Sequence, residues 1–158
     1  MLSINLKNMP RRLALLFISG CAFLSIGTMF YIFIRNCNAL FLEPFKDLAL
    51  CSTELPLFGF DWLPTFLHTI AFSLLTLLFV ENNFKTKFLV FCSWCLINLF
   101  FEFAQLFDLK INEEVIGRLP IFLQYVFNGT FSQQDMLATI SASALLIAIF
   151  YIKEQTNE

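Results

Sequence analysis

Charge is scarce in this sequence of 158 residues. Charged residues make up 14% of it, whereas a soluble domain typically carries about a quarter. The net charge is −2, and no cluster of Lys and Arg offers a phosphate-binding surface, which argues against nucleic acid as a partner. There is a single histidine. Together with the two carboxylates nearest to it in the predicted bundle, those of Glu102 and Asp135, this histidine makes a poor set of metal ligands. We therefore expect neither a metal nor a cofactor.

Glycine and proline are also few, at five each, and the chain has no Ser/Gly linker, low-complexity tract or internal repeat. Hydrophobic residues are in excess instead, at 58% of the total with 22 phenylalanines. They cluster in runs close to the ~20 apolar residues that cross a bilayer as a helix. The sequence therefore predicts an all-α integral membrane bundle of four transmembrane helices in a single membrane domain over residues 1–158, with spans at about 13–34, 62–80, 88–107 and 133–152.

The first apolar run is interpreted as an uncleaved membrane anchor. Lys7, Arg11 and Arg12 precede it, as they would precede a signal peptide, but the run is longer than the 7–15 residues of a usual signal core. The tetrapeptide ISGC at 18–21 resembles a lipoprotein processing site, yet only a very short apolar core comes before it. With the N-terminus inside, six of the ten Lys and Arg residues fall on the inner side. The positive-inside rule therefore predicts that both termini are cytoplasmic.

Five cysteines are present. Cys92 and Cys95 have the spacing of a CxxC motif, but no second pair, basic neighbour or loop setting accompanies them, so we expect no redox or zinc role. Cys37 and Cys51 both fall in the first outer loop, where an oxidising compartment would allow a disulfide between them. Because the sequence does not show their geometry, this pairing stays open.

Both outer loops contain apolar stretches that are too short to span a membrane. These are ALFLEPFKDLALC at 39–51 and GRLPIFLQYVF at 117–127, where Pro120 suits the first turn of a short helix. Stretches of this length suit interfacial helices that lie flat on the outer leaflet and cover the spans. Packing of each loop on its own bundle is the alternative.

Four polar side chains are expected at one depth of the bundle. His68 lies two turns into the second span, roughly 9 Å below the outer surface at 1.5 Å per residue, and Glu102 lies about 8 Å below the same surface in the third span. Gln105 is one turn higher, and Asp135 opens the fourth span after Ser132, with the spacing of a capping box. Three helices thus bring a candidate site of four residues to one layer: His68, Glu102, Gln105 and Asp135.

The cost of burying charge decides how these residues are interpreted. A charge at mid-bilayer costs roughly 2.5–3.5 kcal/mol, so intramembrane ionisable groups are functional candidates by default. For Glu102 and His68 we favour a functional pair, able to transfer protons or to bind a polar head group. For Gln105 and Asn98 we favour hydrogen bonds that only join helices. For Asp135, a helix cap and a site residue stay equal alternatives.

The same residues resemble a known family. PTFLHTIAF around His68, FFEFAQLF around Glu102 and Gln105, and GTFSQQDMLA around Asp135 together resemble the VanZ-like family of small bacterial membrane proteins, over roughly residues 60–150. That family has a histidine in one span, Glu-x-x-Gln in the next and an aspartate that opens the last. The resemblance implies a multi-pass protein of the bacterial cytoplasmic (inner) membrane and the cell envelope, with a link to glycopeptide antibiotic resistance.

The chain departs from the family pattern at several positions. Many members have Asp-Lys before the histidine, where this chain has Pro64 and Thr65. The Asn and Gly that often follow the final aspartate are replaced by Thr139 and Ala142, and the Arg that often precedes it is missing from residues 129–131. The chain therefore resembles a divergent branch of the family.

Three functions are carried forward. The leading hypothesis is an outward-facing polar pocket that binds or acts on an envelope amphiphile or lipid head group. The second is a hydrolase or transferase for a lipid-linked substrate, with Glu102 and His68 as acid–base partners, although no Ser or Cys nucleophile is spaced beside the histidine. The third is a structural or assembly subunit that contacts a membrane-protein partner or a second copy. Transport by a monomer is disfavoured, because no charged pairs follow the full depth of the spans.

Overall fold

The structure is a computed structural model that describes residues 10–34, 60–106, 118, 120 and 131–156. This part of the chain contains four α-helices and no strand: α1 (Arg11–Ile34), α2 (Leu63–Thr76), α3 (Phe84–Leu106) and α4 (Gln133–Gln155). The all-α class predicted from the sequence is confirmed. The predicted interfacial segments and the Cys37–Cys51 pairing lie outside the described residues.

Three helices are long and apolar enough to cross a membrane. They are the Arg11–Phe30 portion of α1, then α3 and α4 over their full lengths. Helix α2 is apolar but has only 14 residues, or about 21 Å at 1.5 Å per residue, less than a hydrocarbon core of about 30 Å. The described residues thus define a helical membrane protein.

Helix α2 is shorter than the predicted span because the α-helical hydrogen-bond pattern gives way, after Thr76, to bonds that reach back only three residues. The N–H groups of Leu78 and Phe79 donate to carbonyls three residues back, at 3.2 and 3.0 Å. Asn83 then accepts the N–H of Thr86 at 2.7 Å through its Oδ1 and starts α3. The connection between α2 and α3 is therefore built from a tightened helix end and an asparagine cap.

Helix α2 begins without a side-chain cap. Trp62 is the N-cap residue, with helical backbone angles, and Pro64 lies in the first turn. Asp61, which directly precedes it, is exposed. Proline suits this position because its missing N–H would be unsatisfied there anyway.

Helix α2 is the centre of the bundle, because it packs against α1, α3 and α4. Two glycines allow α1 to approach it closely. A Cβ on Gly20 would lie 2.8 Å from the Leu75 side chain, and a Cβ on Gly27 would lie 3.0 Å from His68 Nε2. The buried core beside this contact consists of Leu16, Ile70, Leu74, Leu77, Val90, Phe91, Ala142 and Leu146.

Many large apolar side chains outside that core are exposed, as expected for a surface that faces lipid. Phe100 and Phe103 of the FFEFAQLF segment are 68% and 47% exposed. Phe91 is instead fully buried and meets Phe150 at a ring distance of 5.4 Å. Phe100 and Phe103 thus lie on the exposed side of α3, whereas Phe91 lies where α3 packs on α4.

Candidate functional site

The start of α4 is held by a carboxylate from another helix. Ser132 is the N-cap residue, and its Oγ accepts a hydrogen bond from the backbone N–H of Asp135 at 3.2 Å. In a complete capping box, the acidic side chain would in turn accept the N–H of the cap residue. Here Glu102 Oε2 of α3 accepts the N–H of Ser132 at 3.1 Å. The predicted cap is therefore present but is completed by α3, which brings negative charge to the positive end of the α4 dipole.

The Asp135 side chain connects α4 to α2. It is only 5% exposed, and its Oδ1 accepts a hydrogen bond from Thr65 Oγ1 at 2.9 Å. A carboxylate acceptor makes this bond stronger than one between neutral groups. Glu102, Ser132, Asp135 and Thr65 thus tie α3, α4 and α2 together at one end of the bundle. We call these four residues the polar layer, and that end of the bundle the Asp135 end.

A direct link between α2 and α3 lies one turn deeper than the polar layer. Asn98 Nδ2 donates to Thr69 Oγ1 at 3.0 Å, and Thr69 Oγ1 donates to the carbonyl of Thr65 at 2.8 Å. Thr69 is fully buried. Hydrogen bonds between membrane helices contribute on average about 0.6 kcal/mol each. The helix-joining role predicted for Asn98 is confirmed.

His68 lies against α1. Its Nε2 approaches Gly27, and its ring lies 6.1 Å from that of Phe72, which stacks on Trp94 at 5.1 Å. These contacts put the imidazole at the α1 side of α2, whereas Glu102 contacts the start of α4. The predicted pairing of His68 with Glu102 stays a prediction.

Gln105 lies one turn beyond Glu102, next to the last residue of α3, and its side chain is partly exposed. Of the four predicted site residues, the structure therefore connects Glu102 and Asp135 through Ser132, places His68 toward α1, and leaves Gln105 at the rim.

An open groove of about 460 Å³ lies beside the polar layer, between α2 and α4. Its volume is within the range of about 300–1,000 Å³ typical of ligand pockets. Trp62 meets Phe66 edge-on in its wall, with ring centres 6.0 Å apart. The groove is lined by Trp62, Leu63, Phe66, Gln134, Leu137, Ala138 and Ser141.

Sequence reasoning did not find this groove, because its walls are ordinary apolar residues that become neighbours only when α2 and α4 pack. One signal was available in Trp62. A tryptophan at the end of an apolar run is typical of the membrane–water interface, where its ring lies at the level of the lipid head groups.

An ion pair at the opposite end of the bundle was also not predicted. Lys87 Nζ lies 3.0 Å from Glu154 Oε2, and the Lys87 side chain is only 7% exposed. The same Nζ lies 5.8 Å from the ring centre of Phe150. The two charged residues are far apart in the sequence and meet only because α3 packs on α4. We call this the Lys87 end.

In the part of the chain that the structure describes, no group of three or more His, Cys, Asp and Glu side chains is suited to hold a metal ion. No protein-family model matches the chain, and no curated protein or solved structure matches it. The resemblance to the VanZ-like family thus stays a prediction carried by the motifs around His68, Glu102 and Asp135.

Proposed function

We propose that this chain is a VanZ-like, four-pass protein of a bacterial inner membrane that binds an envelope amphiphile or lipid at the Asp135 end. In this proposal the Asp135 end faces outward, as the distribution of Lys and Arg favours, and α2 crosses the membrane together with the apolar turn that follows it. One observation carries the proposal: Gln134 lines the groove, and the next residue, Asp135, belongs to the polar layer. An apolar surface and a polar one are therefore adjacent, as an amphiphile requires.

The two surfaces divide the recognition of such a ligand. The groove takes the apolar tail, because its walls are mainly aromatic and aliphatic. The head group lies at the level of Trp62 and Gln134. Asp61 is exposed directly before Trp62, and Glu102 adds a partly exposed carboxyl group at this end, whereas Asp135 is buried and accepts from Thr65. An acidic surface favours a head group that donates hydrogen bonds, such as one rich in hydroxyl or ammonium groups.

Binding has more support than catalysis on the same residues. In a hydrolase or transferase, Glu102 would need a carboxylate oxygen that can exchange a proton with a substrate. One of its two oxygens, Oε2, already accepts the backbone N–H of Ser132 and so serves to cap α4. A purely structural role has its own support, since the polar layer joins three helices. A role in glycopeptide resistance follows from the family resemblance and requires that the bound amphiphile belong to the cell envelope.

The proposal is tested by photo-crosslinking in vesicles made with a phospholipid that carries a diazirine on its acyl chain. We expect adducts to be enriched at Leu137 relative to Leu96 of α3, which is equally exposed, and to appear at Trp62 and Phe66 although both are only partly exposed. Ser141→Phe fills the groove and should lower adduct formation severalfold. Ser93→Phe is the matched control, because Ser93 is an exposed serine on α3 away from the groove.

Uniform labelling of all exposed apolar residues, unaffected by Ser141→Phe, would contradict the proposal and favour a structural subunit. The natural ligand is then sought by mass spectrometry of what co-purifies from native membranes. The proposal requires that the species which co-purifies with the wild type is depleted in Ser141→Phe and retained in Ser93→Phe.

A further inference from the structure

Helices α2 and α4 face each other with polar residues at regular intervals. Thr65 and Asp135 are hydrogen-bonded near the starts of the two helices, so the helices run in the same direction from a common level. Each helix advances about 6 Å for every four residues. Thr69 therefore falls level with Thr139, and one turn deeper a second pair falls level: Ser73 and Ser143.

These deeper residues are buried and their hydroxyl groups are not all satisfied. Ser73 and Thr139 are fully buried, and Ser143 is 4% exposed. In the described part of the chain, the hydroxyl oxygens of Ser73, Thr139 and Ser143 have no hydrogen-bond partner. Leaving a buried hydroxyl unpaired is unfavourable, so nearly all such groups in native proteins have a partner.

Other hydroxyls in the same bundle show the usual solution. Thr28, Thr69 and Thr76 each donate to the carbonyl four residues earlier, at 2.8 to 2.9 Å. Serine and threonine in membrane helices commonly satisfy themselves in this way. The three unpartnered hydroxyls are exceptions, and all three belong to the buried faces of α2 and α4.

We propose that the interface between α2 and α4 holds ordered water molecules that extend the polar layer into the bundle. One water bridges Ser73 and Ser143, and one bridges Thr139 to Thr69. Thr69 Oγ1 has capacity for this, because it donates one bond and accepts one from Asn98, whereas a hydroxyl oxygen has two acceptor lone pairs. Buried waters typically make about three such bonds to groups that are otherwise unsatisfied.

The water site ends at an apolar floor. Leu74, Leu77 and Leu146 are buried next to the Ser73–Ser143 level, together with Phe91. The Lys87–Glu154 ion pair lies beyond this floor. The waters therefore form a closed extension of the Asp135 end and give no path across the bundle.

The proposal is tested by whether the melting temperature, Tm, rises or falls when each hydroxyl is removed. If the hydroxyls are dry and unpaired, Thr139→Val, Ser73→Ala and Ser143→Ala should each raise Tm, because each removes an unsatisfied polar group. If waters bridge them, each variant should instead lower Tm in detergent by about 2–4 °C. Ser93→Ala, which removes an exposed hydroxyl, is the control and should leave Tm unchanged.

Water-edited NMR of the reconstituted protein provides the second measurement. We expect magnetisation transfer from water to Ser73, Thr139 and Ser143 that exceeds the transfer to Leu146. A rise in Tm in the three variants overturns the proposal. So does a fall in Tm without transfer from water, which would mean that the hydroxyls bond directly to each other or to the backbone.

Discussion

The two ends of the bundle stabilise the same helices by different means. At the Lys87 end, one cation and one carboxylate form an ion pair between α3 and α4, and an aromatic ring packs beside the cation. At the Asp135 end, two carboxylates accept hydrogen bonds from a backbone N–H and a hydroxyl. An ion pair depends on both charges, whereas the polar layer needs only acceptors at those positions. The Lys87 end should therefore be the more sensitive to loss of charge.

The largest effect is expected from Glu154→Ala. This change leaves Lys87 charged in a site where its side chain is only 7% exposed. Removing one partner of a fully buried pair costs about 3–5 kcal/mol. Because Glu154 is 40% exposed, we expect the free energy of unfolding to fall by a smaller amount, about 2–3 kcal/mol. Thermal or chemical unfolding in detergent measures it.

Removal of the other partner of the ion pair, Lys87, is the control for this prediction. Lys87→Met keeps an apolar chain beside Phe150 and leaves a carboxylate that reaches water, so it should cost about 1 kcal/mol or less. Equal effects of Glu154→Ala and Lys87→Met would mean that burial of Lys87 does not determine the strength of this end.

At the Asp135 end, we expect Asp135→Ala to lower the free energy of unfolding by about 1–2 kcal/mol. The change removes the acceptor of the Thr65 hydroxyl and a negative charge from the first turn of α4. Asp135→Asn keeps a carbonyl acceptor and should cost less than half as much. If Asn proves as harmful as Ala, the charge of Asp135, rather than its acceptor oxygen, is what this end requires.

The sequence predicted these two ends unequally, for a physical reason. Local signals were sufficient for Ser132 and Asp135, because a capping box lies within four consecutive residues, and the helix-joining hydrogen bond expected of Asn98 is present. The partner that completes the cap, Glu102, comes from another helix 30 residues before Ser132, and Lys87 and Glu154 are 67 residues apart. Such pairs depend on how helices rotate and pack, which periodicity alone does not determine.

A smaller effect on stability is expected from Glu102→Gln. This variant distinguishes a role of Glu102 in binding a head group from a role in capping α4 alone. The amide oxygen can still accept the Ser132 N–H, so the cost should stay below about 1 kcal/mol. His68→Asn removes the imidazole from its contact with Gly27. It is measured beside Glu102→Gln because His68 is the other member of the predicted functional pair. If the polar layer binds a head group, Glu102→Gln should accumulate normally and still lower crosslinking of the diazirine phospholipid. A variant that accumulates normally and crosslinks like the wild type would assign Glu102 to capping alone.

The smallest effect is expected from salt. Raising NaCl from about 0.05 to 0.5 M shortens the screening length to a few ångströms, which weakens the partly exposed Lys87–Glu154 pair by a few tenths of a kcal/mol. Hydrogen bonds of the buried Asp135 side chain should respond less. The salt dependence of Tm should therefore disappear in Lys87→Met and persist in Asp135→Asn. The opposite result would show that charge, rather than acceptor geometry, governs the Asp135 end, and it would reverse the contrast between the two ends.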